Sequence, residues 1–89
     1  MSRKEKVTKI IDGDTFKTAS RKNPVRLANV DAPEKGQPGS AKATEALRKM
    51  IQGKKVRIDT VSRDKYGRAV ANVYLGRESV NKKIQEKLK

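Results

Sequence analysis

The chain has 89 residues, with 23 Lys+Arg against 10 Asp+Glu and a net charge of +13, so it is read as one small domain whose expected partner is a polyanion. The absence of cysteine excludes disulfides, thiolate zinc sites and a cysteine nucleophile, and the absence of histidine removes the usual general base and transition-metal ligand. Any hydrolytic chemistry must therefore run on carboxylates, arginines and a hard cation.

In chain order, residues 7–11 read as a strand, Asp12 and Gly13 as a tight hairpin turn, and residues 15–19 as the partner strand, followed by a polar loop over 20–23. A third strand spans 25–30. Val25 and Leu27 share one face and Arg26 and Ala28 the other, so an apolar inward row leaves the Arg26 guanidinium outside the core and open to a ligand. Gly36, Pro38 and Gly39 make residues 35–39 a loop, with Ser40 as N-cap of a helix. Ala43, Ala46, Leu47 and Met50 form that helix's apolar stripe, and Gly53 its stop. Val56, Ile58 and Thr60 alternate with Arg57 and Asp59 in a fourth strand. Residues 64–67 turn into a fifth strand, 68–75, which Arg68 opens. A final helix starts at Ser79, with Val80, Ile84 and Leu88 as a narrow packing seam on a lysine-rich surface. Aromatics are 3% of the chain, namely Phe16, Tyr66 and Tyr74. The core must therefore be aliphatic, and few rings are left to stack on nucleobases.

The order strand, strand, strand, helix, strand, strand is that of a five-stranded OB-fold barrel with the helix between strands 3 and 4, here with a short C-terminal helix added. The fold class is thus mainly β with helices. A barrel of this kind serves passive binders and enzymes alike, so the decision falls to the sites.

Three short stretches concentrate the relevant chemistry: Asp12-Gly13-Asp14-Thr15, Asp31-Ala32-Pro33-Glu34 and Asp64-Lys65-Tyr66-Gly67-Arg68. Taken singly, each has a plain reading as a hairpin turn or a proline-closed loop. Together they place four of the ten acids, Asp12, Asp14, Asp31 and Glu34, in the first two stretches, whereas a solvated surface would scatter them. Clustered acids repel a polyanion unless a cation such as Ca²⁺ or Mg²⁺ sits between carboxylate and phosphate.

With Ile11 to Phe16, Arg26 to Glu34 and Asp64 to Arg68 in this order, the chain resembles the staphylococcal nuclease (thermonuclease) family from about Val7 to the start of its last helix. The resemblance implies Ca²⁺ held by the Asp14 and Asp31 carboxylates and the Ala32 carbonyl, with Asp12 in support. It also implies Glu34 as the carboxylate that activates the attacking water, and Arg26 and Arg68 as the arginines that grip the phosphate. Lys65 and Tyr66 would lie beside a substrate phosphate. The implied reaction is Ca²⁺-dependent hydrolysis of DNA or RNA with little base specificity, leaving 3′-phosphate ends. Single strands are the favoured substrate, and neither a membrane nor a protein partner is expected.

Two departures stand out. Family members commonly carry threonine at the position of Ala32, so a hydroxyl contact is lost while a backbone ligand is kept. The family's final helix and the tyrosines before it have no counterpart, so residues 1–89 are read as a single SNase-like domain lacking that helix. With a charged N-terminus and no apolar leader the chain reads as cytoplasmic, a secreted form trimmed of its signal being the alternative. Among functions, the alternatives are a non-catalytic nucleic-acid-binding OB module and a scaffold in a ribonucleoprotein. The scaffold would bind RNA tightly and in a strongly salt-dependent manner, indifferent to calcium.

Overall fold

The computed structural model describes residues 4–33 and 36–88. Its elements are β1 (Lys4–Asp12), β2 (Thr15–Thr18), β3 (Val25–Leu27), α1 (Ser40–Ile51), β4 (Lys55–Arg63), β5 (Ala69–Leu75), β6 (Glu78–Ser79) and α2 (Val80–Lys87). The sheet order is β3-β2-β1-β4-β5-β6, antiparallel at each step, and a parallel pairing joins the edge strand β3 to β5. Strands β1, β2, β3, β5 and β4 thus form a closed ring, with β6 as a short addition beyond β5. Register shifts within β1, between Val7 and Lys9 and between Ile10 and Asp12, and within β4, between Thr60 and Ser62, supply the extra twist that closure needs.

The expected strand, strand, strand, helix, strand, strand order is present, and the aliphatic core is as the composition requires. Val7, Ile10, Phe16, Val25, Leu27, Val56, Ile58, Ala71 and Val73 fill the ring, capped by Leu47 and Ile51 of α1 and by Val80 and Ile84 of α2. Leu88 packs on the same cluster, which makes the apolar seam of α2 a packing surface. No described helix is long and apolar enough to cross a membrane.

Several boundaries differ from the sequence-based expectation, each for a local reason. β1 starts at Lys4, because residues 4–6 pair with residues 55–57 of β4 despite their charge. β3 ends at Leu27 and not at residue 30, because Asn29 takes φ 60, a left-handed conformation that breaks a strand. α1 is capped by Gly39, at φ 85 and ψ −5, with no side-chain cap. Ser40 is instead its first helical residue. Arg68 lies one residue before β5, in the turn. β6 was not expected, since two residues after Gly76 carry no periodic signal; Gly76, at φ 62, turns the chain back onto β5.

The first hairpin is also displaced by one residue. Asp12 pairs with Thr15, so Gly13 and Asp14 form the turn. Gly13 is not among the glycines with positive φ, and its role is close approach. A Cβ there would stand 2.6 Å from the Ala43 Cβ and 3.1 Å from the Ala43 carbonyl carbon, both on α1, and 3.0 Å from the Ala32 Cβ. Gly13→Ala must therefore push the turn off α1, with an expected destabilisation of about 1–3 kcal/mol. A shifted urea midpoint at unchanged slope checks this.

Glu5 holds the other end of the barrel. Its carboxylate accepts from Arg21 Nε at 2.8 Å and Nη2 at 3.0 Å, from Ser20 Oγ at 2.8 Å and from Thr18 Oγ1 at 3.2 Å. The Arg21 contact, opposed by burial and aided by Ser20 and Thr18, lowers its pKa below the ordinary 4.5. A depressed carboxylate contributes stability that is present above the unfolded-state pKa and is lost as pH falls through the folded one. Melting temperatures of wild type and Glu5→Gln should therefore converge as pH falls below 4.5 and stand apart at neutrality.

Candidate functional site

A cleft of about 380 Å³ is lined by Asp12, Asp14, Arg26, Asp31, Ala32, Pro33 and Arg68. Distant parts of the chain meet there. Asp12 ends β1, Asp14 sits in the turn, Arg26 is central in β3, residues 31–33 follow β3, and Arg68 precedes β5. The parallel β3–β5 pairing brings the two arginines together, since Val25 pairs with Ala69 and Arg26 with Val70.

Asp14 anchors the cleft and is 8% exposed. Its Oδ1 accepts from Thr15 Oγ1 at 2.9 Å. Its Oδ2 accepts from the Ala32 N–H at 3.4 Å and lies 3.5 Å from Arg26 Nη2. Arg26 Nη2 also donates to the Val30 carbonyl at 3.2 Å. One carboxylate thus fixes both the loop after β3 and a guanidinium that remains 28% exposed toward the cleft. Asp12 is half-buried and Asp31 exposed. Neither carboxylate is hydrogen-bonded to or ion-paired with a described residue.

Arg68 is aimed by Asp64. The Asp64 Oδ1 accepts the Tyr66 and Arg68 backbone N–H groups, each at 2.9 Å, and its Oδ2 meets Arg68 Nε at 2.5 Å. Burial raises the Asp64 pKa, but the N–H bonds from Arg68 and Tyr66 and the Arg68 guanidinium outweigh it and hold the carboxyl below its ordinary 3.8. Asp64 therefore stays ionised at neutral pH and keeps the Arg68 fork in one orientation. Arg68 also lies 5.2 Å from the Tyr66 ring centroid, and Lys65 Nζ lies 5.2 Å from the same ring. Tyr66 is 70% exposed. Neither Lys65 nor Tyr66 lines the cleft; Tyr66 is joined to it through Arg68, and Lys65 through Tyr66.

Seven of the sequence-derived site residues, Asp12, Asp14, Arg26, Asp31, Ala32, Arg68 and, through Arg68, Tyr66, are thus gathered at one place. Glu34 lies outside the described residues. Three positioning groups were not foreseen: the Thr15 hydroxyl, the Val30 carbonyl and the Asp64 carboxylate. Only Asp64 had a signal, since an aspartate two residues before a backbone N–H it can accept is an ordinary turn former.

The donor chemistry is all oxygen, which suits a hard cation and not a soft one. Among the described residues no three acidic side chains stand close enough together to hold a metal ion by themselves. A cation there would need carbonyl, water or phosphate oxygens as well, which is ordinary for Ca²⁺ and Mg²⁺.

The small closed barrel, with a polar cleft lined by aspartates and two arginines, is an OB-like fold. A family model described as Staphylococcal nuclease homologue matches residues 24–88, and the chain belongs to that family. It is 37% identical over 71 residues to an Escherichia coli protein named an uncharacterized endonuclease, covering 78% of this chain and 46% of that one. A Haemophilus influenzae protein of the same name is 38% identical over 79 residues, covering 85% and 44%. The thermonuclease of Staphylococcus hyicus is 34% identical over 90 residues, covering 89% and 53%. The chain spans about half the length of these relatives.

Proposed function

We propose that this chain is a nuclease that hydrolyses DNA or RNA phosphodiester bonds with Ca²⁺ bound, leaving 3′-phosphate ends. The observation that carries the reading is the meeting of Arg26 and Arg68 with Asp12, Asp14 and Asp31 in one cleft of a chain of net charge +13. A passive binder of polyanions gains nothing from acids beside the phosphate. Relatives named endonuclease and thermonuclease support the same reading.

In this reading Asp14 and Asp31, with the Ala32 carbonyl, hold the cation and Asp12 supports them. When bound, Ca²⁺ supplies positive charge to the phosphate and to the developing oxyanion. Arg26 and Arg68 fix the phosphate by planar, charge-assisted hydrogen bonds, which strengthen as charge grows on its equatorial oxygens. Glu34 takes a proton from the attacking water, a role that falls to a carboxylate in a chain without histidine. The water oxygen bonds to phosphorus as the bond to the 5′-oxygen breaks, and that oxygen takes a proton from solvent to leave as the free 5′-hydroxyl. Lys65 and Tyr66, joined to the cleft through Arg68, contact a neighbouring phosphate.

Incubation with single-stranded DNA and RNA in Ca²⁺, Mg²⁺ or chelator, followed by end-group analysis, tests this. Cutting in Ca²⁺ alone, lost in Asp14→Asn, with 3′-phosphate ends, is the expected result. Equal cutting in chelator would remove the metal from the reading, and 5′-phosphate ends would overturn the direction of bond breaking. Binding without cutting in any metal would favour the passive module.

A further inference from the structure

Beyond the cleft, a cavity of about 200 Å³ opens where the β2–β3 loop meets the base of the β4–β5 hairpin, lined by Arg21, Lys22, Asn23, Arg63 and Ala69. Its lining contains cations and no carboxylate. That separates it from the cleft, where three aspartates face two arginines. A chamber whose charged lining residues are all cations, two of them without a carboxylate partner, selects an anion without needing a metal to reconcile opposing charges.

The wall is rigid where it is paired and free where a ligand would bind. Arg21 is fixed by its two bonds to Glu5. Arg63 donates through Nη1 and Asn23 through Nδ2 to the same acceptor, the Gly67 carbonyl, each at 3.4 Å. Lys22 and Arg63 are exposed and form no ion pair with a described carboxylate. The Gly67 carbonyl ties this wall to the loop that carries Arg68. Moreover, consecutive residues line the two sites, Arg68 the cleft and Ala69 the cavity. On the other side Asn23 precedes Arg26 by three residues, about 10 Å of extended backbone. The two sites are thus linked along the backbone through both β3 and β5.

We propose that this cavity is a second phosphate subsite of the nuclease, in which Lys22 and Arg63 hold a phosphodiester of the same strand, remote from the bond being cut. The proposal rests on the nuclease reading above. The Arg63 fork suits two phosphate oxygens and Lys22 adds a point charge. No aromatic ring lines the cavity, so the subsite positions the strand without reading its bases. It would make the enzyme prefer strands over dinucleotides.

The test is fluorescence anisotropy with a ladder of oligothymidylates from the dinucleotide upward, in chelator so that nothing is cut, over a range of KCl. Lys22→Ala is one variant; Arg63→Gln, which keeps a side-chain N–H for the Gly67 carbonyl and loses the charge, is the other. Lys49→Ala, on the exposed face of α1, reports general surface charge. Wild type should gain affinity in a step at the length that first reaches the cavity. Each subsite variant should lose that step and lower the slope of log K against log[KCl] by about 0.7, while Lys49→Ala keeps the step. A step retained in both subsite variants, or lost equally in Lys49→Ala, overturns the subsite and leaves the nuclease reading standing. Failure of wild type to bind any oligonucleotide overturns the subsite, and cutting in Ca²⁺ then decides the nuclease reading separately.

Discussion

Arg68→Ala should lower kcat for phosphodiester cleavage about 10³-fold, with a smaller effect on nucleic-acid affinity. The guanidinium acts on charge that grows in the transition state, and a preorganised donor or arginine of this kind contributes on the order of 10²–10⁵ in rate. Affinity, by contrast, is spread over the many cations of a +13 chain. Arg68→Lys should not restore the rate, because an ammonium cannot present the planar fork. Asp64→Asn separates orientation from charge. Its remaining oxygen can still accept the Tyr66 and Arg68 backbone N–H groups, while the charged contact to Arg68 Nε is weakened. The expected loss in kcat is smaller than that of Arg68→Ala. Single-turnover rates with saturating enzyme check both, and an Arg68→Ala enzyme of near-normal rate would remove this residue from the reaction.

The largest expected effect on stability is that of Asn81→Leu. Asn81 is 5% exposed and bridges three backbone groups: its Oδ1 accepts the Val73 N–H at 2.8 Å, and its Nδ2 donates to the Ala28 carbonyl at 2.9 Å and the Ala71 carbonyl at 3.0 Å. Through these bonds α2 fastens the end of β3 to β5. Removing the amide strands the Val73 N–H and the Ala28 carbonyl inside the fold, while the Ala71 carbonyl keeps the Ala28 N–H at 2.8 Å. With about 1–3 kcal/mol for each stranded group, the expected loss is about 2–6 kcal/mol. A domain of this size has only about 4–13 kcal/mol in total. The urea midpoint should fall steeply. A midpoint within experimental error of wild type would show that the seam closes without the amide.

Asn81 also shows where reading the sequence runs out. The alternation Val25, Arg26, Leu27 announced which side of β3 faces water, and the arginine does emerge in the cleft. Of the α1 stripe Ala43, Ala46, Leu47 and Met50, Ala43 and Leu47 are buried and Ala46 and Met50 pack partly buried against the core, with Ile51 extending the buried face. These are patterns with a period, and periodicity is what a single sequence displays. Asn81 has none. An asparagine in a lysine-rich helix looks like surface until three distant backbone groups are known to converge on it. The same holds for Glu5, one acid in a charged N-terminal run, whose partners lie on the following loop. Within the candidate site, the acids and arginines were legible because their chemistry is unusual in so basic a chain. Their holders were not: the Val30 carbonyl has no side-chain signature, and Asp64 resembles any turn aspartate. Gly13 was legible as a turn glycine for the wrong reason, since its requirement is space against Ala43.

The parallel seam between β3 and β5 has a further consequence for the chain as a covalent object. Arg26 and Arg68 are held on opposite sides of that seam, with α1 and β4 lying between them in sequence. Any cut between these two residues divides the cleft between two peptides, so neither fragment alone carries both arms that would grip a phosphate. The proposed phosphate-directed chemistry would then be a property of the closed ring as a whole, and an intact barrel could be recognised by it where secondary-structure content alone would not distinguish it from its halves.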